Sequence, residues 1–276
     1  MLFDSHAHIN YESYTDEERA ALAEEISQSD VKYVMDIGCD LGSSLQAVKD
    51  AGEYPWCYAV VGCHPHEVKY MDDMTLELIS GLTKKPKVKA IGEIGLDYHY
   101  DFSPREEQRE WFRKQIRLAN ELRLPIVIHS REASMDTKDI LKEEGAFSEE
   151  RKSWFPKRPG LNGEMVDDAR VLLHCYSGSA EEAWQYVKLG GTISMAGPLT
   201  FKNNKKGVLV ATKIPIEFLL VETDSPYLAP EPHRGKKNKS VYVEYTARRL
   251  AAIKGLTYEE VCAETTANAK RFFNIE

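Results

Sequence analysis

An α/β fold built on a parallel sheet is what the sequence predicts. Three observations support this: eight short apolar or β-branched runs recur along the 276 residues, a helical pattern follows each of them, and several helix starts carry cap signatures. The runs cover residues 2–4, 33–37, 58–61, 88–91, 126–128, 171–173, 192–194 and 218–221. Thr15-Asp-Glu-Glu18, Ser103-Pro-Arg-Glu106, Ser179-Ala-Glu-Glu182 and Thr257-Tyr-Glu-Glu260 have the capping-box form, in which the hydroxyl and the Glu satisfy each other's free amides. After Ser103, Pro104 suits a first helical position, and Trp111, Ile116, Ala119 and Leu122 form an apolar stripe at helical spacing, which reads as core. Eight such repeats close as a (β/α)8 barrel or open as a doubly wound sheet, and periodicity alone does not choose.

One interval breaks the rhythm. Residues 145–168 carry Pro156, Pro159, Gly160 and Gly163 among charges with no strand period, which predicts an inserted loop after the helix that follows the fifth strand. Surface decoration is the expected role, with a lid over one edge of the site as the alternative. No other linker, internal repeat or low-complexity tract is present.

Composition narrows the function. With 42% hydrophobic and 29% charged residues the chain can bury a large core. Its 36 Lys and Arg against 44 Asp and Glu leave a net charge of −8, which weighs against a protein held to nucleic acid or anionic lipid by bulk charge. A polyanion would have to be bound locally, by a basic loop or a bound cation. The start Met1-Leu2-Phe3-Asp4 lacks the basic and apolar regions of a signal peptide, and no stretch reaches the ~18 apolar residues of a membrane span, so a cytoplasmic chain with no membrane partner is expected. Cys39, Cys57, Cys63, Cys175 and Cys262 are odd in number and irregularly spaced, which reads as reduced, structural thiols.

The chemistry is carried by histidines that stand at strand ends. His6 and His8 close the first run, and their i, i+2 spacing points both imidazoles to one side of a strand. His64, His129 and His174 each stand just past, or at the end of, another run. A lone His after a strand is usually structural, but several at corresponding positions of successive strands need a common cause, and one metal centre supplies it. Glu93 and Asp224 occupy the same place after two further runs, completing a mixed nitrogen and oxygen donor set suited to Zn, Mn, Fe or Mg. Six donors exceed what one four-coordinate ion needs, which favours two ions about 3.5–4 Å apart, with Glu93 able to give one oxygen to each and Asp224 able to accept the proton of an attacking water.

These residues sit in Phe3-Asp-Ser-His-Ala-His8, Gly62-Cys-His-Pro65, Ile91-Gly-Glu-Ile-Gly-Leu-Asp97, Pro125-Ile-Val-Ile-His129, His174-Cys-Tyr-Ser-Gly178, and Glu222-Thr-Asp-Ser-Pro-Tyr-Leu-Ala-Pro230 followed by Arg234-Gly-Lys236. In that combination, over essentially the whole chain, the sequence resembles the TatD family of metal-dependent hydrolases, the TatD-like DNases of the amidohydrolase group. The resemblance implies a (β/α)8 TIM barrel, one domain over residues 1–276. It implies two divalent ions (Mg, Zn or Mn), one held by His6, His8 and Asp224 and the other by His129 and His174, with Glu93 as bridge and His64 facing the scissile phosphate. It also implies hydrolysis of DNA phosphodiesters, including 3′ to 5′ exonuclease action. Two departures stand out: the stretch between His129 and His174 is longer than is usual in the family, and Tyr176 and Ser240 stand where Phe and Pro are common.

A phosphate ester is also favoured by charge placement. The segment Phe201-Lys-Asn-Asn-Lys-Lys-Gly207 follows the seventh run and His233-Arg-Gly-Lys-Lys-Asn-Lys239 the eighth, where barrels often hold phosphate, making Arg234 and Lys236 candidate substrate contacts. Tyr98, Tyr100 and Phe102 offer faces on which bases could stack. The expected catalytic set is Asp224, Glu93 and His64, acting as a monomer on DNA that is single-stranded or has a free 3′ end. The rival readings are a hydrolase of another small ester, amide or lactone on the same centre, and a nucleic-acid-binding protein with a structural metal. Structural zinc sites are usually closed and rich in Cys, which argues against the latter.

Overall fold

Eight strands lie side by side in one parallel sheet whose spatial order follows the chain. In the computed structural model, which describes all 276 residues, β1 (Leu2–Ala7), α1 (Asp16–Gln28), β2 (Val31–Ile37), α2 (Leu41–Glu53), β3 (Cys57–Val61), α3 (Asp73–Leu82), β4 (Val88–Asp97), α4 (Arg105–Glu121), β5 (Ile126–Arg131) and α5 (Ser134–Glu143) alternate without exception. Then come α6 (Glu149–Ser153) and a two-stranded antiparallel hairpin, β6 (Arg158–Pro159) and β7 (Met165–Val166). The alternation resumes with β8 (Val171–Leu173), α7 (Ala180–Lys188), β9 (Gly191–Met195), α8 (Lys205–Lys213) and β10 (Leu219–Val221), and ends on α9 (Val243–Lys254) and α10 (Tyr258–Phe273).

The chain behind β10 returns to β1. Ala7 and Ser225 form a parallel bridge, the amide of Asp224 donates to the His6 carbonyl at 2.9 Å, and the amide of His8 donates to the Ser225 carbonyl at 2.7 Å. This closes the sheet into a (β/α)8 barrel and settles the choice that periodicity left open. A doubly wound sheet would reverse its strand order at a switch point, and here the order never reverses.

Phe3, Met35, Val60, Ala90, Val127, Leu172 and Leu220, one from each of seven strands, fill the barrel interior together with Phe272 and Phe273 from the end of α10, which plug the mouth at the strands' N-terminal ends. A larger apolar layer joins the outer strand faces to the helices. With the lower mouth plugged, only the C-terminal mouth is left to receive polar side chains.

Three expectations need correction. First, β1, β4 and β5 run on past their apolar stretches, to Ala7, Asp97 and Arg131, because the ladder continues after the side chains turn polar: Gly95 pairs with His129 and Asp97 with Arg131. Second, the caps at Thr15 and Thr257 form complete boxes, but Ser103 does not cap α4. Its hydroxyl donates to the His66 carbonyl at 2.8 Å, and Pro104 stands one place before the helix. At Ser179 only the serine half of the box forms, because Glu182 turns to Ser134 and Tyr176. Third, residues 145–168 are neither surface decoration nor a lid. Arg151 is fully buried and donates to the carbonyls of Ala169 and Leu124 (2.8 and 2.7 Å) and to Asn120 Oδ1 (2.7 Å). Arg158, also buried, donates to Thr192 Oγ1 and the Gly191 carbonyl, both at 2.8 Å. The segment is therefore stitched to the starts of β5, β8 and β9, at the end of the barrel away from the histidines.

Candidate metal centre

Strand pleating delivers the donors to one place. In β4, Glu93, Gly95 and Asp97 share a face, and the bare Gly95 lets β4 approach β5, since a Cβ there would lie 1.9 Å from the His129 carbonyl oxygen. His6 and His8 come from the end of β1, His129 from within β5, His174 from just after β8, His64 from the loop after β3 and Asp224 from the loop after β10. All seven predicted site residues at this mouth converge.

Glu93 lies at the middle, and its two oxygens face different partners. Oε2 is 3.3 Å from His6 Nε2 and 3.8 Å from His8 Nε2, whereas Oε1 is 2.5 Å from His174 Nε2, 2.9 Å from His129 Nδ1 and 3.8 Å from His64 Nε2. Asp224 Oδ1 stands 3.4 Å from His8 Nε2 and 3.8 Å from His6 Nε2. His6, His8 and Glu93 form one group whose ligand atoms lie within 4.8 Å of one another, and His64, Glu93 and His129 form another.

The far side of most rings is already satisfied, which fixes what the near side can do. His8 Nδ1 donates to the Ile37 carbonyl at 2.9 Å, which leaves the Nε2 lone pair aimed at Glu93 and Asp224. His129 Nε2 meets Asp97 Oδ2 at 2.9 Å, leaving Nδ1 toward Glu93, and His174 Nδ1 lies 3.4 Å from Glu222 Oε1. Neither ring nitrogen of the fully buried His6 makes a hydrogen bond. Orphaned nitrogens beside carboxylates fit a divalent cation, and the donor set is one that hard and borderline ions accept. His64 differs: its Nδ1 accepts from the His66 amide at 3.1 Å, so a neutral ring carries its proton on Nε2 and faces the cluster as a donor.

Electrostatics fit that division for the two carboxylates, His6 and His64, whereas burial works against protonated His8, His129 and His174 but the anionic groups beside them raise all three. Burial opposes ionisation of Glu93, but the imidazoles of His174, His6 and His64 outweigh it and hold the carboxyl well below its usual range. Burial likewise works against ionised Asp224, and the His8 hydrogen bond and neighbouring imidazoles reverse it. Burial pushes His64 well down, with His129 adding to the effect, and burial lowers His6 too, which keeps both rings neutral as coordination or hydrogen-bond donation through one nitrogen requires.

Beside the cluster lies a cavity of about 280 Å³ lined by His129, His174 and Asp224 together with the apolar Met195, Leu199 and Leu228. On another side of the mouth Tyr100 and Phe102 are 48% and 55% exposed and stack on each other at 5.1 Å, with the Arg131 guanidinium 4.6 Å from the Tyr100 ring. Tyr98 is not part of this platform, because its hydroxyl donates to Asp136 at 2.6 Å and accepts from Arg109. Arg234 lies over the Phe201 ring at 4.4 Å and 3.9 Å from Glu231, while Lys236 is exposed and makes no ion pair. Sequence reasoning missed Asp97, Glu222 and His66. Asp97 shares the β4 face of Glu93, Glu222 stands two residues before Asp224, and His66 two after His64, so the same i, i+2 and i+4 counting that paired His6 with His8 would have found them.

Comparison with known proteins finds matches over essentially the whole chain. The family model described as TatD related DNase matches residues 3–274. An uncharacterized metal-dependent hydrolase, YabD, of Bacillus subtilis is 42% identical over 275 residues, covering 100% of both chains. A protein of Escherichia fergusonii named 3′-5′ ssDNA/RNA exonuclease TatD is 33% identical over 245 residues, covering 86% of each. Among solved structures, the TatD homologue YjjV of Escherichia coli superposes with a TM-score of 0.86 at 25% identity, covering 100% of this chain and 98% of the other.

Proposed function

The chain belongs to the TatD family of metal-dependent hydrolases, and we propose that it removes nucleotides from the 3′ end of single-stranded DNA by hydrolysing phosphodiester bonds. The observation that carries this reading is the division of Glu93: Oε2 faces His6 and His8, Oε1 faces His129 and His174, so one carboxylate can serve two ions. In this reading His6, His8 and Asp224 hold one divalent ion and His129 and His174 the other, with Mg, Mn or Zn as candidates. Bound there, the pair supplies a water of lowered pKa and positive charge for the phosphoryl oxygens.

The chain's own groups do the rest. The second oxygen of Asp224 makes no hydrogen bond and is free to take the proton of the attacking water. His64 turns its Nε2 proton toward the cluster, where it meets the negative charge on the scissile phosphate. Tyr100 and Phe102 offer a sequence-tolerant stack for a terminal base, and Lys236, free of any ion pair, is available to the backbone beyond it.

The test is the degradation of 5′-labelled single-stranded DNA by the purified protein. Products shortened stepwise from the 3′ end, abolished by chelator and restored by Mg or Mn, are expected. Intact DNA alongside metal-dependent turnover of small esters, amides or lactones would move the protein to the rival hydrolase reading.

A further inference from the structure

The opposite mouth of the barrel holds a second, differently charged cavity. Lys89 at the start of β4, Arg170 just before β8, and Lys270 and Arg271 in the last turn of α10 line about 410 Å³, together with Tyr58 and Asn274. An adjoining space of about 300 Å³ shares Lys89 and Arg170 and adds Arg123 and Phe155. Glu276 is the one acidic side chain on these walls, and it makes no ion pair.

The guanidinium of Arg170 is the informative group. Arg170 is only 5% exposed, yet no side-chain hydrogen bond leaves it and no carboxylate lies within 4 Å of its guanidinium, which stands 4.8 Å from the Phe155 ring. Arg151 nearby shows the alternative, since carbonyls and a side-chain oxygen satisfy all of its nitrogens, while Arg158 places both terminal nitrogens on oxygens and leaves only Nε free. Asp168 acts on the group through charge but does not touch it: its close contact is Arg271 Nε at 3.7 Å, and its Oδ1 accepts from the Arg170 amide, not from the side chain. Arg271 Nε likewise lacks a hydrogen bond. A buried cation without an acceptor is costly, and bidentate binding of an oxyanion is the repayment to which a guanidinium is best shaped. Lys89 and Lys270 at the rim add charge without filling the space.

We propose that this cavity is an anion site that takes a phosphate-type dianion, either inorganic phosphate or a phosphomonoester, at the end of the barrel remote from the metal centre. The proposal does not depend on the reading of that centre.

The test is equilibrium dialysis of the metal-loaded full-length protein against labelled inorganic phosphate. Phosphate bound at the metal centre is separated from this site by Lys89→Ala/Lys270→Ala, which should weaken one class of binding by about tenfold or more while leaving DNA cleavage unchanged. Arg170→Met, close in volume and apolar, should abolish that class; if it does not fold, the lysine pair still decides. Competition with deoxyadenosine monophosphate separates the sources: displacement well below the phosphate concentration needed marks a phosphomonoester, and equal displacement marks free phosphate. Isotherms for the lysine variant that superimpose on the wild type, or no phosphate binding by the wild type, would overturn the site.

Discussion

The two mouths of this barrel bury polar groups in opposite ways. At the C-terminal mouth the orphaned atoms are ring nitrogens of His6, His66 and His174, which stand beside Glu93, Asp97 and Glu222. At the N-terminal mouth they belong to Arg158, Arg170 and Arg271 and to the one buried carboxylate among them, Asp168. In each place the chain satisfies many neighbouring groups itself, with Ile37 and Asp97 behind His8 and His129, and Ala169, Leu124 and Gly191 around the arginines. What remains unpaired differs between the mouths: ring nitrogens beside carboxylates above, and below three guanidinium nitrogens against the single carboxylate oxygen of Asp168. Leaving a buried polar group unpaired costs on the order of 1–3 kcal/mol, so the atoms a fold leaves unsatisfied indicate the charge of what it binds.

The sharpest way to break this comparison is to change the centre of the upper mouth. Glu93→Gln keeps the size and removes the charge that both imidazole groups face. DNA cleavage should fall by more than the ~10–100-fold expected from losing an outer partner of a metal ligand, and ion content by atomic absorption should drop by at least one equivalent. A variant with full ion content and the wild-type rate would remove Glu93 from the centre. Phosphate binding at the lower mouth should be untouched, which keeps the two ends separable.

Next in size is Asp97→Asn, which leaves every donor in place. Asp97 accepts from His129 Nε2 and stands 3.1 Å from His66 Nε2, so it positions both rings. Burial works against its ionised form, yet the His129 and His66 hydrogen bonds hold it below the usual range. We expect cleavage to fall by ~10–100-fold, with the metal concentration for half-maximal rate raised and partial rescue by excess Mn. A merely structural role would lower Tm without moving the metal dependence.

Much of this was legible in the sequence because it follows from strand alternation. The eight runs, the helices between them and the convergence of His6, His8, Glu93, His129, His174 and Asp224 all follow from apolar stretches ending in polar residues. The closure was not legible, because bridging of Ala7 to Ser225 joins residues 218 positions apart and leaves no local period. The role of residues 145–168 was hidden for another reason: Arg151 and Arg158 look like surface charges, and their burial depends on carbonyls at the starts of distant strands. Ser103 misled because its capping signal lost to a stronger tertiary partner, the His66 carbonyl.

The smallest predicted effect bounds the comparison, because an orphaned oxygen can also be settled by a proton. Asp36 and Asp50 are both buried, and each leaves Oδ2 without a donor. Burial, reinforced by the neighbouring Asp50 carboxyl, raises Asp36 well above its usual range, and burial raises Asp50. A carboxyl whose folded-state pKa is raised binds more protons folded than unfolded between about pH 4 and that raised value, so the pair's contribution to stability falls as pH climbs through this window. Asp50→Asn supplies a permanent donor and removes one titrating group. Its Tm relative to the wild type should be lowest near pH 4 and rise toward pH 8, by ~2–4 °C for each kcal/mol recovered. A Tm difference that stays flat across that range would mean the two carboxyls do not share a proton, and that Asp36 and Asp50 mark a third place where the fold awaits a cation.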